Sequence, residues 1–308
     1  MSGKPKRYWS NLALFTLFTL LLATVAIGLW LARQRAMILV HPGRSLPTRT
    51  PADYRVPRWE DVRFSSADGL ELGGWFIPPD PAGDGATLLF VHGLGGNRGE
   101  FVAEAAMLAS HGYGALLIDL RNHGQSQGTV TTMGYAEVQD AQGALAYLAT
   151  RPEVNLEHIG LVGNSMGGAV VIRAAARIPT VRVVVAQSTF TSLEDNLGEG
   201  VQTLTGLPAF PFAPAVVWFA ERESGVDIRQ VRPVDDVPRI APRAILFIHG
   251  EQDPIMRASN SMRLYQAARE PKELYLIPKG GHGELLKADP AEYERRVVSF
   301  LDKYLRGR

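Results

Sequence analysis

The chain has 308 residues, of which 46% are hydrophobic and 20% charged, a composition typical of a globular protein rather than a disordered or fibrous one. It contains no cysteine, which excludes disulfides, a thiolate nucleophile and cysteine-ligated zinc or iron–sulfur centres. The net charge is +1 but the positive charge is concentrated in residues 1–60, so the mildly acidic remainder gives no electrostatic reason to expect nucleic-acid binding.

The first element is an uncharged run of 21 residues, Leu12–Ala32. As a helix rising about 1.5 Å per residue it would span roughly 31 Å, close to the hydrocarbon thickness of a bilayer. Trp9 and Trp30 lie near its ends, where aromatic rings favour the headgroup level. A signal peptide cleaved near Thr24 and Ala26 is the alternative, but its apolar stretch is usually only about 7–15 residues long. We therefore predict a single-pass membrane anchor.

Basic residues lie on both sides of this run, so their distribution does not by itself decide the orientation. The short N-terminal tail favours an N-terminus inside the cell and a body outside the cytoplasm. The tail and the helix make up residues 1–40, and a connecting segment rich in Pro, Arg and Thr follows over residues 41–59.

Residues 60–308 alternate short β-rich runs with helical patterns and are predicted to form one α/β domain. Two runs, Glu60–Ser65 and Leu70–Ile77, flank a turn. Six further runs are continuously apolar, as strands buried on both faces of a parallel sheet are. They are Thr87–Val91, Ala115–Leu120, His158–Val162, Val181–Ala186, Ala244–Ile248 and Glu273–Ile277. The helical patterns cover Gly99–Ser110, Tyr135–Ala149, Met166–Arg177, Ser259–Ala268 and Glu292–Leu305. This order predicts a mostly parallel eight-stranded sheet flanked by helices, with ligands at the carboxyl ends of the strands.

One interval, about residues 189–242, contains no clear strand pattern. Within it, Gly206–Phe219 is apolar, aromatic and rich in proline. A long packed loop is one interpretation, and a short cap whose apolar face meets an apolar substrate is the other. We favour the cap because the insertion is large, apolar and placed at the predicted active edge of the sheet.

A G-x-S-x-G sequence, Gly163–Gly167, follows one predicted strand and opens a predicted helix. In this context the tight turn holds the hydroxyl of Ser165 above the sheet, and the glycines avoid steric clashes. The helix N-terminus places the Met166 amide beside any negative charge that develops there. Ser165 is therefore a candidate nucleophile.

A nucleophilic serine needs a base, and the base needs an acid that orients it. Asp253 and His282 each follow the end of a predicted strand, which gives the chain order Ser, Asp, His. We predict His282 as the base and Asp253 as the acid, with Glu251 as the alternative acid.

A glycine-rich segment, His92–Asn97, follows another strand and supplies the Leu94 amide as a second donor to an oxyanion. His92 is expected to bond the backbone and shape this loop. The segment lacks the spacing of nucleotide-binding glycine loops, and no cofactor or metal is required.

With these motifs the sequence resembles the α/β-hydrolase superfamily over about residues 60–305. The segment Asp119–Ser126 is similar to the D-x-R-x-x-G-x-S turn of that superfamily, which is usually structural. Among subgroups, the chain resembles the serine-aminopeptidase and monoglyceride-lipase-like hydrolases with a short cap, which include single-pass membrane members.

The resemblance implies acyl transfer to water through Ser165, Asp253 and His282, with the Leu94 and Met166 amides holding the oxyanion. An acyl ester or lipid with an apolar chain is the expected substrate. A peptidase using the same residues, and a non-catalytic membrane-anchored binding protein, are the alternatives. The sequence does not predict the oligomeric state.

Overall fold

The computed structural model describes residues 6–197 and 209–308, and its centre is an eight-stranded sheet in the order β1-β2-β4-β3-β5-β6-β7-β8. β2 pairs antiparallel with β1 and β4, and all other neighbours are parallel. The strands are β1 (Glu60–Ser65), β2 (Glu71–Ile77), β3 (Thr87–Val91), β4 (Gly114–Ile118), β5 (Ile159–Asn164), β6 (Val181–Gln187), β7 (Ala244–Gly250) and β8 (Lys272–Ile277). The predicted mostly parallel eight-stranded sheet is thus confirmed.

Several strands extend beyond the apolar runs that predicted them, and two of these extensions reach the candidate site. β5 continues through Asn164 and β7 through Gly250, so that each ends directly at the candidate site. Conversely, β4 ends at Ile118 because the chain then turns, and the Leu120 amide donates to the ring of His92. Hydrophobicity marks the buried middle of a strand but not the polar residues at its functional end.

Helices cover both faces of the sheet and bury one apolar core on each side. One core includes residues of α3, α4 and α7, and the other includes residues of α2 and α9. The helices are α1 (Lys6–Val40), α2 (Val102–Ser110), α3 (Glu137–Leu148), α4 (Met166–Ala175), α5 (Ala209–Ser224), α6 (Pro233–Asp236), α7 (Ser259–Ala267), α8 (Leu285–Ala288) and α9 (Pro290–Leu301). Residues 302–305 of the last predicted helix belong to a separate π-helical turn, Asp302–Arg306.

The N-terminal helix α1 has 35 residues and is long and apolar enough to cross a membrane. Its residues 8–27 are exposed, whereas Ala32, Ala36 and Val40 are buried against α5. α1 therefore consists of an uncovered apolar part and a C-terminal part that packs on the body of the protein.

The interval predicted as a cap contains α5, whereas its residues 198–208 lie outside the described part of the chain. Residues 209–219 of the proline-rich stretch form helix rather than the loop that was the other interpretation, with a break at Phe210. Pro214 lies in the first turn after that break, near the N-terminal end of the continuous helical segment, where a proline is better tolerated than in the middle of a helix.

Candidate active site

Ser165 lies in the turn between β5 and α4 with φ +54° and ψ −118°, a conformation that is costly for a residue with a Cβ. The two flanking glycines make this turn possible. A Cβ on Gly163 would overlap the Gly167 carbonyl, and a Cβ on Gly167 would overlap the Val91 carbonyl. The turn therefore presents the hydroxyl at the carboxyl end of the sheet, as the motif predicts.

His282 lies between Ser165 and Asp253. Its Nε2 is 3.0 Å from Oγ of Ser165, and its Nδ1 is 2.7 Å from Oδ2 of Asp253. With Asp253 ionised, a neutral His282 carries its proton on Nδ1 and leaves Nε2 free to accept the serine hydrogen. This is the arrangement required to deprotonate a serine during attack on a carbonyl.

The carboxylate of Asp253 is fully buried and saturated with donors. Its Oδ1 accepts hydrogen bonds of 2.8 Å from the amides of Ile255 and Met256. Burial alone would raise the pKa of Asp253, but hydrogen bonds from His249 and His282 outweigh it and hold the pKa well below its usual range. Asp253 is therefore ionised at any pH at which His282 can act as a base.

Backbone contacts bring the Asp253 and His282 loops together. The Glu251 amide donates to Ile277 at 2.9 Å, and the Gln252 amide donates to Gly280 at 3.0 Å. A Cβ on Gly250 would overlap Gly280, so only glycine permits this approach. Glu251, the alternative acid, is exposed, and Asp253 rather than Glu251 contacts His282.

The sequence did not reveal the role of His249 at this carboxylate. Its ring is buried, with Nε2 lying 2.9 Å from the Met256 carbonyl and 3.2 Å from Oδ2 of Asp253. Nδ1 lies 2.7 Å from Oγ of Ser261. The sequence feature that could have indicated this role is the position of His249 near the end of β7, four residues before Asp253.

The two predicted oxyanion donors are the amides of Leu94 and Met166. Met166 is the first residue of α4, so its amide has no partner in the preceding turn of helix. Among the described residues, neither of these amides donates a hydrogen bond to a turn carbonyl or to a side chain. By contrast, the neighbouring Gly93 amide donates to the Glu100 carboxylate at 3.1 Å and is not available.

Two buried histidines shape the loop that carries Leu94. His92 accepts a hydrogen bond from the Leu120 amide at 3.1 Å and contacts the Gly93 carbonyl at 2.7 Å, as expected for a structural residue. Burial lowers the pKa of His92 to about 3, so its ring stays neutral. His123 accepts from the Gly95 amide at 3.0 Å. Both rings therefore hold the backbone of the loop rather than face a substrate.

The turn containing Asp119 supports the same loop from behind. Asp119 is buried, and its carboxylate accepts from the amides of Arg98 at 2.7 Å and Gln125 at 3.0 Å. The Ser126 hydroxyl donates to the Asp119 carbonyl at 2.6 Å. These contacts agree with the structural role expected from the motif.

Glu100 and Asn164 are further site residues that the sequence did not single out. The Glu100 carboxylate accepts a hydrogen bond of 2.9 Å from the Asn164 side chain, next to Ser165. Surrounding protein atoms strip water from this carboxyl group and raise its pKa. Nothing in the local hydrophobic pattern marks Glu100, which lies between the glycine-rich loop and α2.

A cavity of about 400 Å³ opens at Ser165 and His282. Its wall is mainly apolar and is built from several separate elements, including α1 and α5. The apolar lining includes Leu39, Met133, Phe190, Leu197, Val216 and Met256. Within residues 6–197 and 209–308, no group of three or more His, Asp or Glu side chains is placed to hold a metal ion.

Comparison with known proteins identifies the class. The model of the alpha/beta hydrolase family matches residues 88–296, and the chain belongs to this family. The sheet order and the turn at Ser165 described above fit that assignment.

Relatives of similar length match most of the chain. The protein YfhR of Salmonella typhi is 27% identical over 305 residues, covering 94% of this chain and 95% of YfhR. The alpha/beta hydrolase domain-containing protein WAV2 of Arabidopsis thaliana is 27% identical over 302 residues, 92% of each chain.

An esterase from Pyrococcus furiosus superposes with a TM-score of 0.71 and 25% identity, over 87% of this chain and 98% of the esterase. An acylaminoacyl peptidase from Pyrococcus horikoshii has a TM-score of 0.63 and 21% identity, over 80% of this chain and 42% of the peptidase. At that identity the second likeness shows the fold alone.

Proposed function

We propose that the protein is a membrane-anchored serine hydrolase that cleaves carboxylic esters of apolar acyl groups. The observation that carries this proposal is the continuous hydrogen-bonded path from Asp253 through His282 to Ser165, which ends at an apolar cavity. The alpha/beta hydrolase family and the esterase structural neighbour support the same class of reaction.

In the first step Oγ of Ser165 attacks the ester carbonyl carbon while its proton moves to Nε2 of His282. The negative charge that develops on the carbonyl oxygen is held by the amides of Leu94 and Met166. Each such donor typically contributes about 100-fold to 1,000-fold in rate. Asp253 keeps the proton of His282 on Nδ1 and stabilises the imidazolium.

His282 then gives its proton to the leaving alcohol as the ester C–O bond breaks, which leaves the acyl group on Ser165. Water enters, loses a proton to Nε2 of His282 and releases the acid by the reverse sequence. Every proton transfer in both steps uses the same nitrogen, so the mechanism requires no cofactor or metal.

The nature of the cavity favours an apolar acyl chain. The cavity wall includes Leu39 of α1, Phe190 of the segment after β6 and Val216 of α5. The last two belong to the interval predicted as a cap, so the cap would help to enclose the acyl chain. Burying each methylene of the chain contributes about 0.8 kcal/mol to binding. Longer acyl groups should therefore bind more tightly until the cavity is filled.

A membrane anchor is supported by α1. Residues 8–27 present an apolar surface that the described protein does not cover, which a bilayer would bury. Cleavage after Ala26 would expose the remaining apolar turns of the same helix. The predicted orientation, with the catalytic domain outside the cytoplasm, stays part of this proposal.

A serine peptidase is the second candidate, and the observation in its favour is Glu100, a carboxyl group in the cavity that could meet a substrate amine. However, desolvation raises the pKa of Glu100, and its oxygens already accept hydrogen bonds from Gly93 and Asn164. Both effects weaken the attraction of Glu100 for a substrate ammonium group, so we favour an ester over a peptide as the substrate.

The test is hydrolysis of p-nitrophenyl esters with four, eight and twelve acyl carbons by detergent-solubilised protein. Activity should rise with chain length and fall at least about 1,000-fold in Ser165→Ala. The control is Ser110→Ala, at an exposed serine at the end of α2, which should retain full activity. Aminoacyl p-nitroanilides in parallel would reveal a peptidase, and activity that survives Ser165→Ala would refute the mechanism.

A further inference from the structure

The C-terminal turns of α1 form part of the cavity wall at the candidate site. Arg35, Ile38 and Leu39 of this helix line the same cavity as Ser165 and His282. The helix that we propose as the anchor is therefore also a part of the substrate site.

This part of α1 is fixed to the body of the protein. Thr131 donates its amide hydrogen to the Val40 carbonyl at 2.9 Å. Directly after the helix, the two ring nitrogens of His41 lie 2.7 Å from the Thr129 carbonyl and 2.8 Å from the Glu223 carboxylate at the end of α5. The position of Arg35 relative to Ser165 is thus set by contacts on both sides of the helix end.

The packing of α1 on the body also sets the depth of the cavity relative to the bilayer. If Leu12–Ala32 spans the bilayer, Arg35 and Leu39 lie about 5 to 10 Å beyond the end of the span. At the start of α5, the Phe212 ring lies beside Gly28, within the span. Phe210 is 81% exposed and Trp218 is 54% exposed, as aromatic side chains at a membrane interface are. The cavity would therefore lie at the level of the lipid headgroups.

Arg35 is the cationic side chain of this cavity wall. It is partly buried, and within residues 6–197 and 209–308 its guanidinium makes no hydrogen bond or ion pair. Glu100, the carboxyl group in the cavity, is instead bonded to Gly93 and Asn164. A guanidinium in a mainly apolar cavity strongly favours an anionic ligand, with which it can form paired hydrogen bonds.

We propose that Arg35 binds the anionic group of the substrate, and that the preferred substrate is an acyl ester lipid with a phosphate or carboxylate close to its ester bond. The lipid enters from the bilayer surface, with its acyl chain in the apolar cavity and its charged group against Arg35. This inference deepens the proposed function and rests on it for the ester chemistry.

The kinetic test compares an acyl lysophosphatidic acid with a monoacylglycerol of the same chain, each in micelles of a neutral detergent. The readout is the ratio of kcat/KM for the anionic substrate to that for the neutral one. We expect this ratio to fall about tenfold or more in Arg35→Gln. Arg33→Gln is the matched control, because Arg33 lies on the same helix but is exposed and turned about 200° away. It should leave the ratio unchanged.

Two results would overturn the inference. An unchanged ratio in Arg35→Gln would mean that the guanidinium does not recognise the anion. An equal fall in Arg33→Gln would mean that the overall charge near the micelle, rather than a site in the cavity, produces the preference.

A binding test separates this inference from the proposed chemistry. Dodecyl phosphate in neutral micelles should bind Ser165→Ala about tenfold more tightly than the double variant Ser165→Ala/Arg35→Gln, and inorganic phosphate should bind far more weakly. Equal affinities in the two proteins would refute the anion site, and equal binding of inorganic phosphate would refute the lipid assignment. If dodecyl phosphate binds through Arg35 but no ester is hydrolysed, the proposed function fails while the site remains.

Discussion

His249 Nε2 lies 3.2 Å from Oδ2 of Asp253, the same oxygen that contacts His282. One histidine at the end of β7 and one from the loop after β8 thus share one buried carboxylate oxygen. Together with the two backbone amides on the other oxygen, they hold Asp253 ionised and in a fixed orientation.

Replacement of His249 should alter the pH dependence of activity. Removing one donor leaves the Asp253 carboxylate with more of its charge available to stabilise a protonated His282, so the acid limb of the kcat profile should move to higher pH. We expect His249→Leu to lower kcat about tenfold, whereas His249→Gln, which keeps a donor, should recover much of the loss. The measurement is kcat against pH for both variants. A uniform loss with no shift of the acid limb would indicate a purely structural role.

Replacement of Asp253 should show how much the orientation of His282 contributes to activity, apart from any effect on folding. Asp253→Asn can still accept the hydrogen bonds of Ile255 and Met256 but favours the wrong tautomer of His282, and kcat should fall about 1,000-fold to 10,000-fold. Steady-state kinetics on a p-nitrophenyl ester provides the measurement. Glu251→Gln, two residues away and exposed, is the control and should change kcat less than about twofold. The reverse pattern would assign the acid to Glu251.

Gly167 should be among the positions least tolerant of a methyl group. Because a Cβ there overlaps the carbonyl oxygens of Val91 and His92, Gly167→Ala should reduce the free energy of unfolding by about 3 kcal/mol. Gly43→Ala is the control, since no atom lies within 4 Å of its Cβ position, and its effect should be below about 0.5 kcal/mol. Denaturant unfolding in detergent compares them, and equal stability of the two variants would contradict this description of the turn.

Glu104 should make stability depend on pH. Its side chain is buried in α2, and burial raises its pKa from 4.5 to about 7. The folded protein therefore binds this proton more tightly, and stability should fall as pH rises from about 4.5 to 7, by at most about 3 kcal/mol.

The variant Glu104→Gln should remove this pH dependence and stabilise the protein at pH 8. Thermal unfolding at pH 5 and pH 8 provides the measurement, with Glu157→Gln at an exposed position as the control. Identical slopes of stability against pH in wild type and Glu104→Gln would show that Glu104 does not contribute.

Much of the sheet could be predicted because buried parallel strands are continuously apolar and the chain order of Ser165, Asp253 and His282 follows their carboxyl ends. The contacts of His249 and Glu100 could not be predicted from the sequence. Glu100 pairs with Asn164, which is distant in the sequence, and hydropathy does not show that the ring of His249 turns towards Asp253 four residues later.

The sequence also did not predict that the C-terminal part of α1 packs on the body of the protein while its N-terminal part stays uncovered. Hydropathy marks Leu12–Ala32 as long enough to cross a bilayer but does not reveal what the next turns contact. Packing of Ala32, Ala36 and Val40 on α5 depends on a segment about 180 residues away along the chain. Likewise, the helical form of residues 209–219 could not be predicted, because the prolines in this stretch are compatible with a loop as well as with a helix.

The contacts that fix the end of α1 to the body leave no flexible linker between the helix and the cavity at Ser165. In a bilayer, a change in the tilt of α1 would rotate the whole hydrolase domain with it rather than flex a linker. Hydrocarbon thickness, which influences that tilt, would therefore change the angle at which the mouth of the cavity faces the lipid surface. A fragment beginning after Val40 would lose both this alignment and three residues of the cavity wall.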